Sequence, residues 1–198
     1  RNNDLHYVNG YPGFFLLDKR ALWNMNKGMK EVSVSQSGNH IYGVDEDDNL
    51  WHTEGINTPW TSLGVAAKSV SVVNEDEIWG ISPNDKPIWR ENSNAEFSTL
   101  SGDLVYVEGS ADGGHVWGIN EQKIMFYRPG RTSGSYWDPI PEATTRAIKV
   151  SVSADGSHVW FVNPRNLVFY RNGRNGVVES IAGPEFKQIA VSGDGNHV

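Results

Sequence analysis

Apolar and small polar residues alternate in short runs along the chain. The clearest example is Ile148–Gly173, IKVSVSADGSHVWFVNPRNLVFYRNG. The period-two alternation of Ile148–Ser153 predicts a half-buried strand. Ala154-Asp155-Gly156-Ser157 then predicts a tight turn, with Asp-Gly at the centre of a type I′ hairpin that needs positive φ at both central residues. His158–Val162 predicts a second strand, the polar Asn163-Pro164-Arg165-Asn166 a loop, and Leu167–Arg171 a third strand. The apolar period of an amphipathic helix is nowhere evident.

The same pattern recurs at Glu31 (EVSVSQSGNHIYGVDEDDNLWHTEG), at Ser69 (SVSVVNEDEIWGISPNDKPIWREN) and at Val105 (VYVEGSADGGHVWGINEQKIMFYRPG). A further copy, QIAVSGDGNHV, runs from Gln188 to Val198 and stops inside its second strand, about four residues short of the other copies. Residues 3–10 align with residues 48–55, so the chain starts with a third strand, and Gly13–Trp23 supplies another extended segment. An aromatic opens each fourth strand at Trp23, Trp60, Phe97 and Trp137, with Val178 in the last copy, at spacings of 37, 37, 40 and 41. Four short strands repeating about every 40 residues predict a β-propeller.

First strands are expected near 31–35, 69–73, 104–109, 148–153 and 187–192, and third strands near 4–8, 49–52, 87–90, 124–128 and 167–171. Both series number five. The expectation is an all-β, five-bladed propeller of four-stranded antiparallel blades, a single domain over residues 1–198. The N- and C-terminal strands would share one blade, which closes the ring and removes exposed sheet edges. Small residues in the first strand, as in Val32–Ser35 and Val150–Ser153, suit strands crowded near an axis. Tyr42, Trp79, Trp117 and Trp160 on the second strand suit the gap between blades. Gly43, Gly80 and Gly118 follow three of these rings and allow a close neighbour; Phe161 breaks that pattern.

The chain has no cysteine, which excludes disulfides and thiolate chemistry. A net charge of −7 argues against nucleic-acid binding, and no apolar run is long enough for insertion into a membrane as a helix. The sequence opens at Arg1 without an initiator Met or a signal-like stretch, so it reads as an excised or processed product.

Two motifs carry the strongest resemblance. Ile78-Trp79-Gly80-Ile81-Ser82-Pro83-Asn84-Asp85 runs to Ile88-Trp89-Arg90, and Val116-Trp117-Gly118-Ile119-Asn120 runs to Phe126-Tyr127-Arg128. They resemble tectonin repeats, as in tectonin and in tachylectin-type, fish-egg and fungal lectins. The similarity spans essentially the whole chain. Members of known fold are commonly six-bladed; the count of five comes from this sequence. His52 stands where the family has Arg, Phe161 stands where it has Gly, and the loops after Arg128 and Arg171 are longer. The resemblance implies multivalent glycan binding, with methylated or microbial sugars as targets, no catalysis and no cofactor. It favours a secreted or extracellular setting, with a cytosolic one and a homo-oligomer left open. The alternative is a non-catalytic protein- or lipid-interaction scaffold.

A sugar needs a ring to stack on and amide, carboxylate or guanidinium groups to orient its hydroxyls. Trp79, Trp117 and Trp160, or the third-strand rings Trp51, Trp89, Tyr127 and Tyr170, would supply the first. Asn84, Asp85, Asn120 and Asn163, with Arg90, Arg128 and Arg171, would supply the second. The copy holding Trp117, Asn120 and Arg128 keeps the pattern best and is expected to bind well. The competing reading places the rings and arginines in the core between blades. His40, His115, His158 and His197 share one repeat position, which keeps them apart and favours turn capping over a metal site. Asp45-Glu46-Asp47-Asp48-Asn49 opens like a calcium loop but lacks its glycine and distal Glu, which favours a solvated hairpin loop. Ser153-Ala154-Asp155-Gly156 resembles a sialidase Asp-box with its Gly one place early, and the turn accounts for these residues.

Overall fold

The computed structural model describes residues 28–55, 58–75, 77–92, 94–131, 136–140 and 146–198. Among the described residues, sixteen strands form four antiparallel sheets, each a consecutive four-stranded meander. The first blade holds β1 (Met29–Val34), β2 (His40–Asp45), β3 (Asn49–Glu54) and β4 (Thr61–Ala66). The second holds β5 (Ser69–Val72), β6 (Ile78–Ile81), β7 (Pro87–Arg90) and β8 (Ser98–Thr99). The third holds β9 (Tyr106–Gly109), β10 (Val116–Ile119), β11 (Met125–Arg128) and β12 (Asp138–Pro139). The fourth holds β13 (Lys149–Val152), β14 (His158–Val162), β15 (Val168–Asn172) and β16 (Glu179–Ser180). The fourth strands begin directly after Trp60, Phe97, Trp137 and Val178, as the sequence pattern requires.

Successive first strands lie side by side, and a serine hydroxyl bridges most of the seams. The N–H of Val72 donates to Ser33 Oγ at 2.9 Å, that of Gly109 to Ser71 Oγ at 3.1 Å, and that of Val191 to Ser151 Oγ at 3.1 Å. Small serines in these strands therefore serve crowding and also satisfy backbone donors that the blades leave unpaired. Glu108 holds the equivalent place on β9.

Residues 187–198 carry no strand, yet they keep the repeat's inner corner. Ser192 N–H donates to His197 O at 2.9 Å and Gly195 N–H to Ser192 O at 2.9 Å. Ala154 N–H reaches Gly193 O at 2.9 Å, which seats the segment against the fourth blade. The strand expected at 4–8 and the extended segment expected at 13–23 lie outside the described residues, so the described fold is four complete blades and an inner segment of a further repeat.

The hairpin between first and second strands is not the two-residue type I′ turn expected. Ser153 N–H donates to His158 O at 2.9 Å and Gly156 N–H to Ser153 O at 3.0 Å, so the loop holds four residues. Only Gly156, at φ 72°, takes positive φ. Asp155 acts instead as an acceptor, from Ser153 Oγ at 2.6 Å and Ser157 N–H at 3.0 Å. Gly156 also sits against the next-door histidine: a Cβ there would lie 2.3 Å from the His115 ring.

Candidate functional site

The second-strand rings and third-strand arginines meet across the seams between blades. Arg90 lies 5.9 Å from the Tyr42 ring of the preceding blade and 5.1 Å from Phe97 of its own. Arg128 lies 5.9 Å from Trp79 and 6.0 Å from Trp137, and Arg171 lies 5.7 Å from Trp117. Each guanidinium thus rests on an aromatic face, where the ring quadrupole favours a cation. Backbone carbonyls complete two of them: Nε of Arg128 donates to Gly130 O and Nε of Arg171 to Gly173 O, both at 3.0 Å. Arg90 instead donates to the Tyr42 hydroxyl at 3.2 Å.

This corrects the expected sugar contacts. Trp79 and Trp117 are 0 % exposed, and Arg90, Arg128 and Arg171 are 6 %, 5 % and 2 % exposed. A ring sealed beneath a guanidinium offers no face to a ligand. Trp160 differs because it is only half-buried, tilted on Tyr170 at 5.0 Å. Its place in the repeat is that of Trp117, which Arg171 of the following blade covers.

The strand register moves one residue of the expected pattern. Tyr42 pairs with His52, Trp79 with Trp89, Trp117 with Tyr127, and Trp160 with Tyr170. Each partner is ten residues on from its ring. His52 therefore occupies the ring column, and buried Thr53 takes the place of the arginine in the first blade. Trp51 falls in a different column, shared with Ile88, Phe126 and Phe169.

The asparagines also separate. Asn120 Oδ1 accepts the Ile124 N–H at 2.9 Å, and Asn163 Oδ1 accepts those of Arg165 and Leu167 at 2.9 and 3.0 Å. Both cap the loop between second and third strands, a local competition that Asn and Asp side chains perform well. Their counterparts three residues after the ring are Asp45 and Ser82, not Asn84. Asn84 is an exposed loop tip. Asp85, at φ 62°, shares its conformation with Asp48, Lys123 and Asn166, and it pairs with Lys68 at 2.7 Å.

The acidic loop of the first blade is a cap in elaborated form. Buried Asp45 accepts from the N–H groups of Asp47 and Asn49 at 3.0 and 2.8 Å, and from the Trp51 indole at 2.9 Å. Burial alone would raise its pKa, but the Asn49 N–H, the Trp51 indole and the Asn49 amide outweigh it and hold the carboxyl at about 2. Half-buried Trp51 is thereby pinned beside exposed Glu46 and Asp47 and the Lys30–Asp48 ion pair. The spacing Asp45, Asn49, Trp51 is the sequence signal for this arrangement. Among the described residues, no group of His, Asp and Glu is placed to hold a metal ion.

Three of the turn histidines, His40, His115 and His158, bond to the third strand twelve residues on. His115 Nδ1 meets the Tyr127 hydroxyl at 3.0 Å and His158 Nδ1 meets that of Tyr170 at 3.1 Å. In the first blade the partner is His52 Nε2, 3.1 Å from His40 Nδ1, and Glu75 stands 3.5 Å from His40 Nε2.

The Tectonin domain family model matches residues 2–198. The chain belongs to the Tectonin domain family. None of the curated proteins matches it. Its fold is similar to YCF48 bound to D1 peptide, at TM-score 0.59 and 14 % identity over 85 % of this chain and 60 % of that one. It is also similar to the Nidogen/Laminin complex, at TM-score 0.66 and 9 % identity over 84 % and 68 % of the two chains. The Myceliophteria thermophila Cps50 (Swd1) β-propeller domain matches at TM-score 0.65 and 9 % identity over 85 % and 60 %. At such identities these neighbours speak for the fold alone. The chain spans 60 % of the length of the first of them.

The inner strands of this Tectonin domain line a cavity of about 620 Å³. Its wall includes Glu31, Tyr106, Glu108, Lys149 and Gln188, contributed by successive repeats. Sequence reasoning missed this site because each residue stands alone in its own copy. All occupy the repeat position of Glu31 except Glu108, which occupies that of Ser33.

Proposed function

We propose that this Tectonin domain is a non-catalytic carbohydrate-binding protein that docks glycans, including microbial or methylated sugars, on the face carrying the loops between second and third strands. The observation that carries this reading is Trp51, a half-exposed ring locked by the buried Asp45 carboxylate at 2.9 Å. A sugar's C–H face gains from a ring that is already ordered, because no side-chain freedom is lost on binding. Asp47, Asp48 and Lys30 around it are suited to hydroxyl groups. In the other blades the same column holds buried Ile88 and half-buried Phe126 and Phe169, while Asn84 and Asp85 offer polar contacts without an adjacent ring. The sites are thus unequal, and the first blade binds best, rather than the copy containing Trp117.

The corner formed by residues 188–197, an inner segment of a further repeat, supports a ring of five blades. Weak single sites on one ring gain strength on patterned surfaces through avidity. The alternative is recognition of a protein, favoured by neighbours solved with a peptide and in a protein complex. A glycan array probes the choice: saturable binding of a defined sugar class supports the proposal, and silence on every glycan favours the alternative.

A further inference from the structure

The cavity along the axis is distinct from the loop face. Glu31 on β1 is fixed within its wall: its Oε1 accepts from the Ser69 hydroxyl at 2.8 Å and the Val70 N–H at 3.0 Å. Among the described residues, no cation pairs with that carboxylate. Glu108 on β9 accepts the Tyr106 hydroxyl at 3.2 Å. Lys149 on β13 lies 4.2 Å over the Tyr106 ring. One ammonium is thus already held by a ring face with the Glu108 carboxyl in its field, the combination that recognises organic cations. Two carboxyl groups face the space against that one ammonium. Lys30, the other cation along the wall, is drawn to Asp48. The wall from β5 and residues 188–190 brings no charge.

We propose that the axial cavity binds a small molecule through a primary ammonium group, seated between Glu31 and Glu108 and balancing the charge that Lys149 leaves uncompensated. The site does not depend on the loop-face reading: Lys30, which borders both regions, is turned to Asp48 and takes no part in seating the ammonium group. The volume admits the body of a small polyol or diamine beside the ammonium. Burial, reinforced by Glu31, pushes the Glu108 carboxyl up to about 7, while Tyr106 and Lys149 pull it back. An incoming cation favours the ionised carboxylate, so binding at neutral pH expels protons.

The test is calorimetry of the whole chain with putrescine, against 1,4-butanediol and succinate. Saturable binding of putrescine is expected, with neither control competing. At pH 7 the heat should change with the buffer's ionisation enthalpy in the direction of proton release. Glu31→Gln and Glu108→Gln should each weaken binding about tenfold or more, while Glu121→Gln, an exposed change outside the cavity wall, should not. Glycan binding should survive both cavity variants. The proposal is overturned if putrescine gives no saturable heat or if succinate binds as tightly. It is equally overturned if binding to the wild-type chain expels no protons, or if folded Gln variants bind like the wild type.

Discussion

Replacing Arg128 by Ala distinguishes a seam residue from a sugar ligand. The side chain is 5 % exposed, its guanidinium is 5.9 and 6.0 Å from two indoles, and its Nε donates to Gly130 O at 3.0 Å. A charged hydrogen bond contributes about 1.5–3 kcal/mol. The two ring faces add about 0.5–1 kcal/mol each, and the buried stem leaves a gap between the second and third blades. Allowing for partial relaxation, the loss should be about 3 kcal/mol, which lowers Tm by roughly 6–12 °C in a domain of this size. Arg128→Lys should fall between, because an ammonium cannot lie flat on both indoles and reach the carbonyl as well. Thermal and urea unfolding, with glycan binding measured below the transition, provide the assay. An Arg128→Ala protein that melts within about 2 °C of wild type while losing glycan binding would refute the seam assignment.

Other substitutions probe other parts of the account. Asn120→Ala removes the cap from the Ile124 N–H and should cost about 1 kcal/mol in urea unfolding, with little change in glycan affinity. Glu108, raised to about 7 from an ordinary 4.5, binds a proton more readily folded than unfolded, so its contribution to stability increases as pH falls from about 7 toward 4.5. Glu108→Gln should remove that slope, which is bounded by about 3 kcal/mol and reduced by water in the cavity. His52 behaves oppositely: burial, then His40, depress its pKa below 6.5, so stability is lost as pH falls through and below that value. His52→Tyr, which copies the Tyr127 and Tyr170 arrangement, should keep a bond to His40 and flatten the acid side of the stability profile.

The blades were legible because alternation, turn residues and a near-constant period all point to the same strands. The aromatic before a fourth strand marked its position at Phe97 and Trp137 even though those strands are two residues long. Arginine roles were not legible, since a motif of ring and cation looks alike whether a sugar or the next blade covers the ring. Burial decides, and burial comes from the neighbouring repeat. Two alignments could have been corrected by counting: ten residues from second-strand ring to third-strand ring puts His52 in the ring column, and three residues from ring to cap separates Asn84 from Asn120 and Asn163. The Asp-Gly turn misled because its loop closes between Ser153 and His158, where one positive φ suffices. The axial cavity gave no local signal at all, because its charged residues come together only when successive first strands pack side by side.

Trp51→Ala on a glycan array tests the central claim most directly, read beside the wild-type chain and a thermal melt of each. Saturable binding of a defined sugar class by the wild type is expected. In the variant, that binding should weaken by about tenfold, the equivalent of a lost stacking contact and its ordered neighbours, while the fold persists. Undiminished binding by a folded Trp51→Ala protein would contradict the placement of the site, and absence of binding to any glycan by the wild type would contradict the function itself.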